Sequence, residues 1–231
     1  MKRVLLVDAV ERPAERPLAE WFGRHLREGG DVELLTLPAS SSDLQASAES
    51  ASGIIISGSL RDAWADKPGV LDLLAFAQRL LVGRQPVLGV CFGHQLLGRA
   101  LGGDVRRNPA GWEVGSPTVE LNPAGAESPL FAAFPSHFVA IQSHRDAVLS
   151  LPAGAHVLAT SAKTAVQAFS VEDRIYGVQF HPEMNGDILR DLWTERREKL
   201  RGAVDFDLDE ALDSAEADAS GIFHNFVSIL S

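Results

Sequence analysis

The chain contains a single cysteine, Cys91, flanked by two glycines in the run Gly89-Val90-Cys91-Phe92-Gly93. The preceding Pro86-Val87-Leu88-Gly89-Val90 reads as a buried strand and the residues that follow as a helix. The sulfur therefore stands on a sharp strand-to-helix turn, a nucleophile elbow with sulfur in place of the serine oxygen. A Cβ at either flanking glycine would crowd such a turn. The turn lifts residue 91 above the sheet edge, beside the first helical amides, whose dipole favours negative charge on sulfur. With glycine at ~7% of residues, glycine on both sides at this spacing arises by chance only about 0.5% of the time, which favours a reactive sulfur over an inert one. A lone cysteine also cannot close an internal disulfide or build a multi-thiolate zinc site.

A thiolate that attacks an amide needs a proton donor for the departing nitrogen and then a base for water, a task suited to histidine. Of seven histidines, His181 directly follows a predicted strand, Ile175 to Phe180, and is fixed in a turn by Pro182, with Glu183 two residues on. A carboxylate there can bond the second imidazole nitrogen and set its tautomer. Cys91, His181 and Glu183 are thus the candidate catalytic triad. His-and-carboxylate spacing of this kind suggests a triad and not a ligand set, so neither metal nor organic cofactor is expected.

The elements that must position these groups follow from periodicity. Arg3-Val4-Leu5-Leu6-Val7-Asp8 reads as a strand, about Pro13 to Glu28 as a helix ending at Gly29-Gly30, and Val32 to Leu37 as a second strand. The stretch around residues 40–52 reads as a surface loop and small helix. Gly53-Ile54-Ile55-Ile56-Ser57-Gly58 is apolar throughout, as in a parallel strand buried on both faces. Pro68-Gly69 and Gly83 bracket a helix with an apolar stripe. From about Asp104 to Gln179, short alternating runs imply mainly antiparallel strands added to the parallel sheet, among them Thr118–Leu121, Phe138–Ile141, Ala165–Phe169 and Ile175–Phe180. After Glu183 the sequence reads as helical to its end. The expected class is α/β with a mostly parallel central sheet, extra antiparallel strands and a helical C-terminal tail. Residues 1–190 are assigned to one catalytic domain and 191–231 to a helical extension packed on it.

Three ordered motifs together resemble the class I (triad) glutamine amidotransferase family: Ile55-Ile56-Ser57-Gly58-Ser59, then Pro86 to Leu97 through Cys91, then Gly177-Val178-Gln179-Phe180-His181-Pro182-Glu183. The resemblance covers about residues 1 to 190. It implies a flavodoxin-like three-layer sandwich, an oxyanion hole from the backbone N–H groups of Gly58 and Phe92, and substrate holding by Gln95. Gln142-Ser143-His144-Arg145-Asp146 resembles the Ser-His-Gly-Asp stretch of the GMP synthetase amidotransferase domain, which implies substrate gripping by the backbone of Ser143, His144 and Arg145. Arg145 stands where that family has glycine, and Gly58-Ser59-Leu60 replaces the more usual Gly-Gly-Pro. Members of the family hydrolyse the glutamine side-chain amide or a γ-glutamyl bond through a thioester. Free-standing members, including the γ-glutamyl peptidases, are the better likeness. An amidotransferase subunit that feeds ammonia to a synthase partner, and a non-catalytic regulatory binding protein, are the alternatives.

Composition sets the remaining bounds. The 231 residues are 45% hydrophobic and 23% charged, the balance of a globular protein, and the formal charge of −10 disfavours nucleic acid and anionic membranes as partners. The pairs Arg106-Arg107 and Arg196-Arg197 read as solvated surface. The N-terminal apolar run stops at Asp8, too short for a secretory core, so a cytoplasmic location is expected. No Gly-x-x-x-x-Gly-Lys phosphate loop is present, and the stretch after Glu183 is too short for a second catalytic domain. The expected ligand is a small molecule, glutamine or a γ-glutamyl compound.

Overall fold

A computed structural model describes residues 1–10, 17–200, 204 and 206–230 of the chain, with the side chains of 195 and 198–200 left aside. Its centre is a nine-stranded sheet. Five strands are parallel: β1 (Lys2–Asp8), β2 (Val32–Pro38), β3 (Gly53–Ile56), β4 (Val87–Val90) and, last in sequence, β13 (Ile175–Val178). Their order is β2-β1-β3-β4-β13. The sheet continues antiparallel through β12 (Ala168–Val171), β11 (His156–Ser161), β7 (Thr118–Leu121) and β8 (His137–Val139). Two small antiparallel ladders stand apart, β5 (Asp104–Arg107) with β10 (Asp146–Ser150) and β6 (Glu113–Gly115) with β9 (Gln142–His144).

The aliphatic strands are apolar throughout because both faces are covered. Along β1, Val4 and Leu6 point to one side, and along β3 and β4 so do Ile55, Leu88 and Val90, where they pack on Leu18, Phe22 and Leu26 of α1 (Leu18–Glu28) and on Phe223 and Phe226 of α8 (Gly221–Ile229). Leu5, Val7, Ile54, Ile56 and Val87 point to the other side, against Leu73 and Phe76 of α3 (Pro68–Val82) and Leu96 and Leu97 of α4 (Phe92–Ala100). Period-two alternation thus feeds two separate cores and gives the three-layer, flavodoxin-like sandwich. A short helix α2 (Leu44–Ser50) fills the predicted loop-and-helix stretch, and the small α5 (Pro123–Glu127) is capped by Asn122, whose Oδ1 accepts from Gly125 N at 2.8 Å. Among the described residues, no helix is long and apolar enough to cross a membrane.

Three expectations need adjustment. Ile175–Val178 is not only an appended antiparallel strand: β13 pairs antiparallel with β12 on one side but parallel with β4 on the other, with Val178 opposite Val90. The run Ala165–Phe169 becomes strand only from Ala168. The tail is not one helical stretch. After α6 (Gly186–Leu200) come α7 (Leu208–Asp213), an extended segment and α8, whose apolar face belongs to the same core as α1. The Phe22 and Phe223 rings meet edge-on at 5.3 Å, and Lys2 Nζ donates to the Val227 and Leu230 carbonyls. The part of the predicted first helix before residue 17 lies outside the described residues.

Candidate active site

The carboxyl ends of β3, β4 and β13 lie side by side, so the residues just beyond each strand converge. Register is the reason. Val90 opposes Val178, Cys91 N donates to Val178 O at 2.9 Å, and three residues further along that chain His181 arrives over the same edge, where its N donates to Ile141 O at 2.8 Å.

Cys91 sits at the N-cap of α4 with φ 50° and ψ −100°, a backbone conformation rarely adopted by L residues. The flanking glycines make it possible. A Cβ on Gly89 would lie 2.4 Å from the Gly93 carbonyl carbon, and one on Gly93 would lie 2.2 Å from Ile56 O. The elbow therefore packs backbone against backbone, as the sequence pattern required. Phe92 opens α4, so its amide is one of those that a first turn leaves without an intrahelical partner.

The Cys91 and His181 side chains face the same pocket, and His181 Nδ1 donates to Glu183 Oε1 at 2.7 Å. With Nδ1 so engaged, the other ring nitrogen is left for the sulfur. Burial acts most strongly on the ring and pushes its pKa down, but the charges of Glu183 and Cys91 and the bonds to both together push it up to about 10. The imidazole is thus held protonated at neutral pH beside a sulfur. Glu183 is 1% exposed and its Oε2 has no partner among the described residues. Gly58 closes the other side: a Cβ there would come within 2.9 Å of His181 Cε1 and 3.7 Å of Cys91 Cβ. Glycine at 58 is what lets the loop after β3 approach the ring. These three side chains, with Gly58 beside them, can supply a nucleophile, a shuttle for one proton and an orienting carboxylate at one place.

A pocket opens over the sulfur, lined by Gly58, Leu60, Cys91, Ser143, His181 and Arg196 among others. Ser143 is the single member of the predicted 143–145 trio in that lining. Strand alternation explains the absence of His144, because β9 turns Ser143 toward the pocket, where its Oγ accepts from Trp193 Nε1 at 2.9 Å, and turns His144 the other way, while Arg145 lies beyond the strand. His144 is 3% exposed, with Nδ1 donating to Asp146 O at 3.0 Å and Nε2 donating to Glu113 Oε2 at 3.1 Å. Arg145 is exposed, and its carbonyl accepts from Asn108 N. Gln95 is also outside the lining. Its Nε2 donates to Asp146 O at 2.8 Å and Gln179 Oε1 at 3.1 Å, which ties α4 to the wall behind the pocket. His94, next to it, is wholly buried against Phe169, and burial pushes its pKa down to about 3, so it is neutral filler.

Sequence reasoning missed Arg196. The pair Arg196-Arg197 was expected to be solvated surface, yet Arg196 is half-buried and lines the pocket. Leu192 and Arg196 are one helical turn apart on α6 and so share its inward face; that spacing was the available signal. Arg107, of the other pair, stays on the surface but is held, by Asp62 at 3.1 Å and Asp146 at 2.9 Å, over the Trp64 ring.

The family model "Glutamine amidotransferase class-I" matches residues 18–192. Among individual proteins, γ-glutamyl peptidase 2 of Arabidopsis thaliana is 35% identical over 162 residues, which are 70% of this chain and 65% of that protein. A glutamine-hydrolysing GMP synthase of Aeropyrum pernix is 39% identical over 167 residues, 72% of this chain but only 31% of that protein. The chain thus spans somewhat less than two thirds of the first of these relatives and about a third of the second. Among solved structures, a glutamine amidotransferase from Thermotoga maritima superposes with a TM-score of 0.75 over 99% of this chain and 96% of its own, at 24% identity, and shares the fold.

Proposed function

Because the chain belongs to the class I glutamine amidotransferase family, we propose that it is a cysteine hydrolase that cleaves the side-chain amide of glutamine or a γ-glutamyl amide bond through a thioester on Cys91. The observation that carries this reading is the convergence of Cys91, His181 and Glu183 in the lining of one pocket, with a 2.7 Å imidazole–carboxylate contact.

In the first half-reaction the Cys91 Sγ adds to the γ-carbonyl carbon. The negative charge that forms on the carbonyl oxygen is met by the N–H groups of Gly58 and Phe92, which lie on either side of the elbow. His181, held protonated beside the sulfur, passes its proton to the departing nitrogen as the C–N bond breaks, and ammonia or an amine leaves. His181 is then neutral and takes a proton from water, whose oxygen displaces the sulfur and releases glutamate. Glu183 holds the ring in one tautomer throughout. Arg196 supplies a cation to the pocket wall, suited to the α-carboxylate of a glutamyl group. Gln95 and His144 act from behind that wall as positioning residues, and Ser143 faces the pocket directly.

Likeness to γ-glutamyl peptidases favours hydrolysis by the chain alone. Likeness to GMP synthases supports a second reading, in which ammonia passes to a synthase partner. A panel of glutamine, glutathione and γ-glutamyl amides, assayed on wild type and Cys91→Ala, tests both. Release of ammonia or amine by the isolated wild type, abolished in Cys91→Ala, is the expected result. Turnover seen only after a synthase is added would favour the second reading. Failure of a diazoketone analogue of glutamine to label Cys91 would rule out both in favour of a binding protein.

A further inference from the structure

One wall of the Cys91 pocket comes from α6, where Leu192 reaches the lining while its neighbour Trp193 points into a third core, separate from the two of the sandwich. Val114, Ile141, Leu189 and Leu212 gather in that core around the indole, which is wholly buried and meets the Trp112 ring edge-on at 5.5 Å. A buried indole N–H needs an acceptor. It finds one at the pocket, where Nε1 donates to Ser143 Oγ at 2.9 Å. The backbone of Ser143 is fixed independently, opposite Val114 in the β6–β9 ladder. Main chain and side chain are thus both held. An indole can only donate, so Ser143 takes this bond as acceptor and keeps its own hydroxyl proton to give. Among the described residues no acceptor receives that proton. Ser143 therefore presents a donor to the pocket, oriented by a residue that is itself outside the lining.

We propose, on the hydrolase reading above, that Trp193 is a positioning residue for substrate: its indole orients the Ser143 hydroxyl, which donates to the α-carboxylate of the glutamyl group. Only one group of such a substrate can take that bond. The α-ammonium has donors and no acceptor, and the γ-carbonyl oxygen is turned to the N–H groups of Gly58 and Phe92 at the elbow, which leaves the α-carboxylate. A hydroxyl already held in place loses little freedom when substrate arrives. The indole thus acts on affinity and not on bond breaking, and it acts through Ser143. Helix α6, with the core that anchors it, becomes part of substrate recognition.

A double-mutant cycle on Trp193 and Ser143 tests this, using whichever of glutamine and γ-glutamyl-glycine the wild type cleaves. Ser143→Ala removes one hydrogen bond to a charged group and should raise KM about tenfold, with kcat within about twofold of wild type. Trp193→Phe keeps a ring but loses the N–H, and freeing the hydroxyl in this way should raise KM about threefold. The double variant should match Ser143→Ala, at about tenfold and not about thirtyfold, because the indole works through the hydroxyl. Leu189→Ala, which loosens the same core away from the pocket, should lower the melting temperature and leave KM unchanged. Should Trp193→Phe fail to fold, benzothienylalanine at position 193 keeps the bicyclic shape and removes only the N–H. The same substrate without its α-carboxylate, 4-aminobutanamide or 4-aminobutyryl-glycine, followed as substrate or as competing inhibitor, should be indifferent to Ser143→Ala. Additive effects in the cycle, an unchanged KM in the Trp193 variants, or a KM raised as much by Leu189→Ala overturns the positioning role. Equal sensitivity to Ser143→Ala with and without the α-carboxylate overturns the choice of acceptor. Either result leaves the hydrolase reading standing. If wild type cleaves neither glutamine nor γ-glutamyl-glycine, the hydrolase reading falls and this inference falls with it.

Discussion

His181–Glu183, just beyond β13, and His144–Glu113, across the β6–β9 ladder, are both buried histidine–carboxylate pairs, at 2.7 and 3.1 Å, yet their surroundings differ in kind. Around Glu113 both carboxyl oxygens are bonded. Ser161 Oγ, Thr164 Oγ1 and Gln167 Nε2 donate to it at 2.6, 2.7 and 3.0 Å, in addition to His144, both of whose ring nitrogens face acceptors. Burial works against ionisation of Glu113, but these bonds outweigh it and hold the carboxyl below its usual range. Around Glu183 one oxygen has no partner among the described residues, and its histidine presents a ring nitrogen to a sulfur at a pocket. A saturated pair fastens strands together. A pair with an open position can exchange a proton with something that enters. The lesson is that burial and a short contact do not by themselves identify chemistry; unused bonding capacity that faces a cavity does.

Substitutions can break this contrast. His181→Gln should lower kcat by about 10⁴-fold or more, equivalent to about 5.5 kcal/mol of barrier, with little change in melting temperature. Glu113→Ala should do the reverse. It strands a buried imidazole and three further donors, so stability should drop by about 3–5 kcal/mol in denaturant titrations, while kcat/KM per folded molecule stays within about tenfold. A Glu113→Ala protein that is stable but inactive would move that pair into the site. Glu183→Gln comes next, with an expected loss of about 10²–10³-fold in kcat from a misoriented ring. The smallest effect is on pH dependence. Because the His181 pKa is raised, the ring keeps its proton through neutral pH and loses it only as pH rises through about 10, so activity should persist into alkaline solution and decline there. Glu183→Gln, which removes the main charge that raises it, should shift that decline to lower pH; an unmoved alkaline limb would show that Glu183 does not tune the ring.

Much of this was legible in the residues. The apolar runs Val4–Val7 and Ile54–Ile56 could only be strands covered on both faces, and the glycines around Cys91 announced an elbow that the backbone then required on steric grounds. The Glu113 network was not legible. Glu113 lies in a three-residue strand after Asn108-Pro109-Ala110-Gly111, too short to show a period, and its partners come from 31 to 54 positions away. Similarity to a known motif suggested contact with substrate for Gln95 and for residues 143–145. Of these only Ser143 lines the pocket, because alternation along β9 turns His144 to the other face, Arg145 lies beyond the strand, and Gln95 spends its amide on Asp146 and Gln179. Arg196 was hidden for a different reason: a charged pair on a polar helix resembles any other exposed pair until one knows which face the helix turns inward.

The adjacency of β4 and β13 has a kinetic side. Val90 and Val178 are paired neighbours in space although the intervening polypeptide forms the whole antiparallel half of the molecule. Contacts between residues so distant in sequence form slowly, because the intervening loop must be closed first. A chain emerging from the ribosome therefore carries its thiol for some time with no imidazole beside it. The sulfur and the imidazole are therefore brought together only when the last parallel strand docks, at the end of folding.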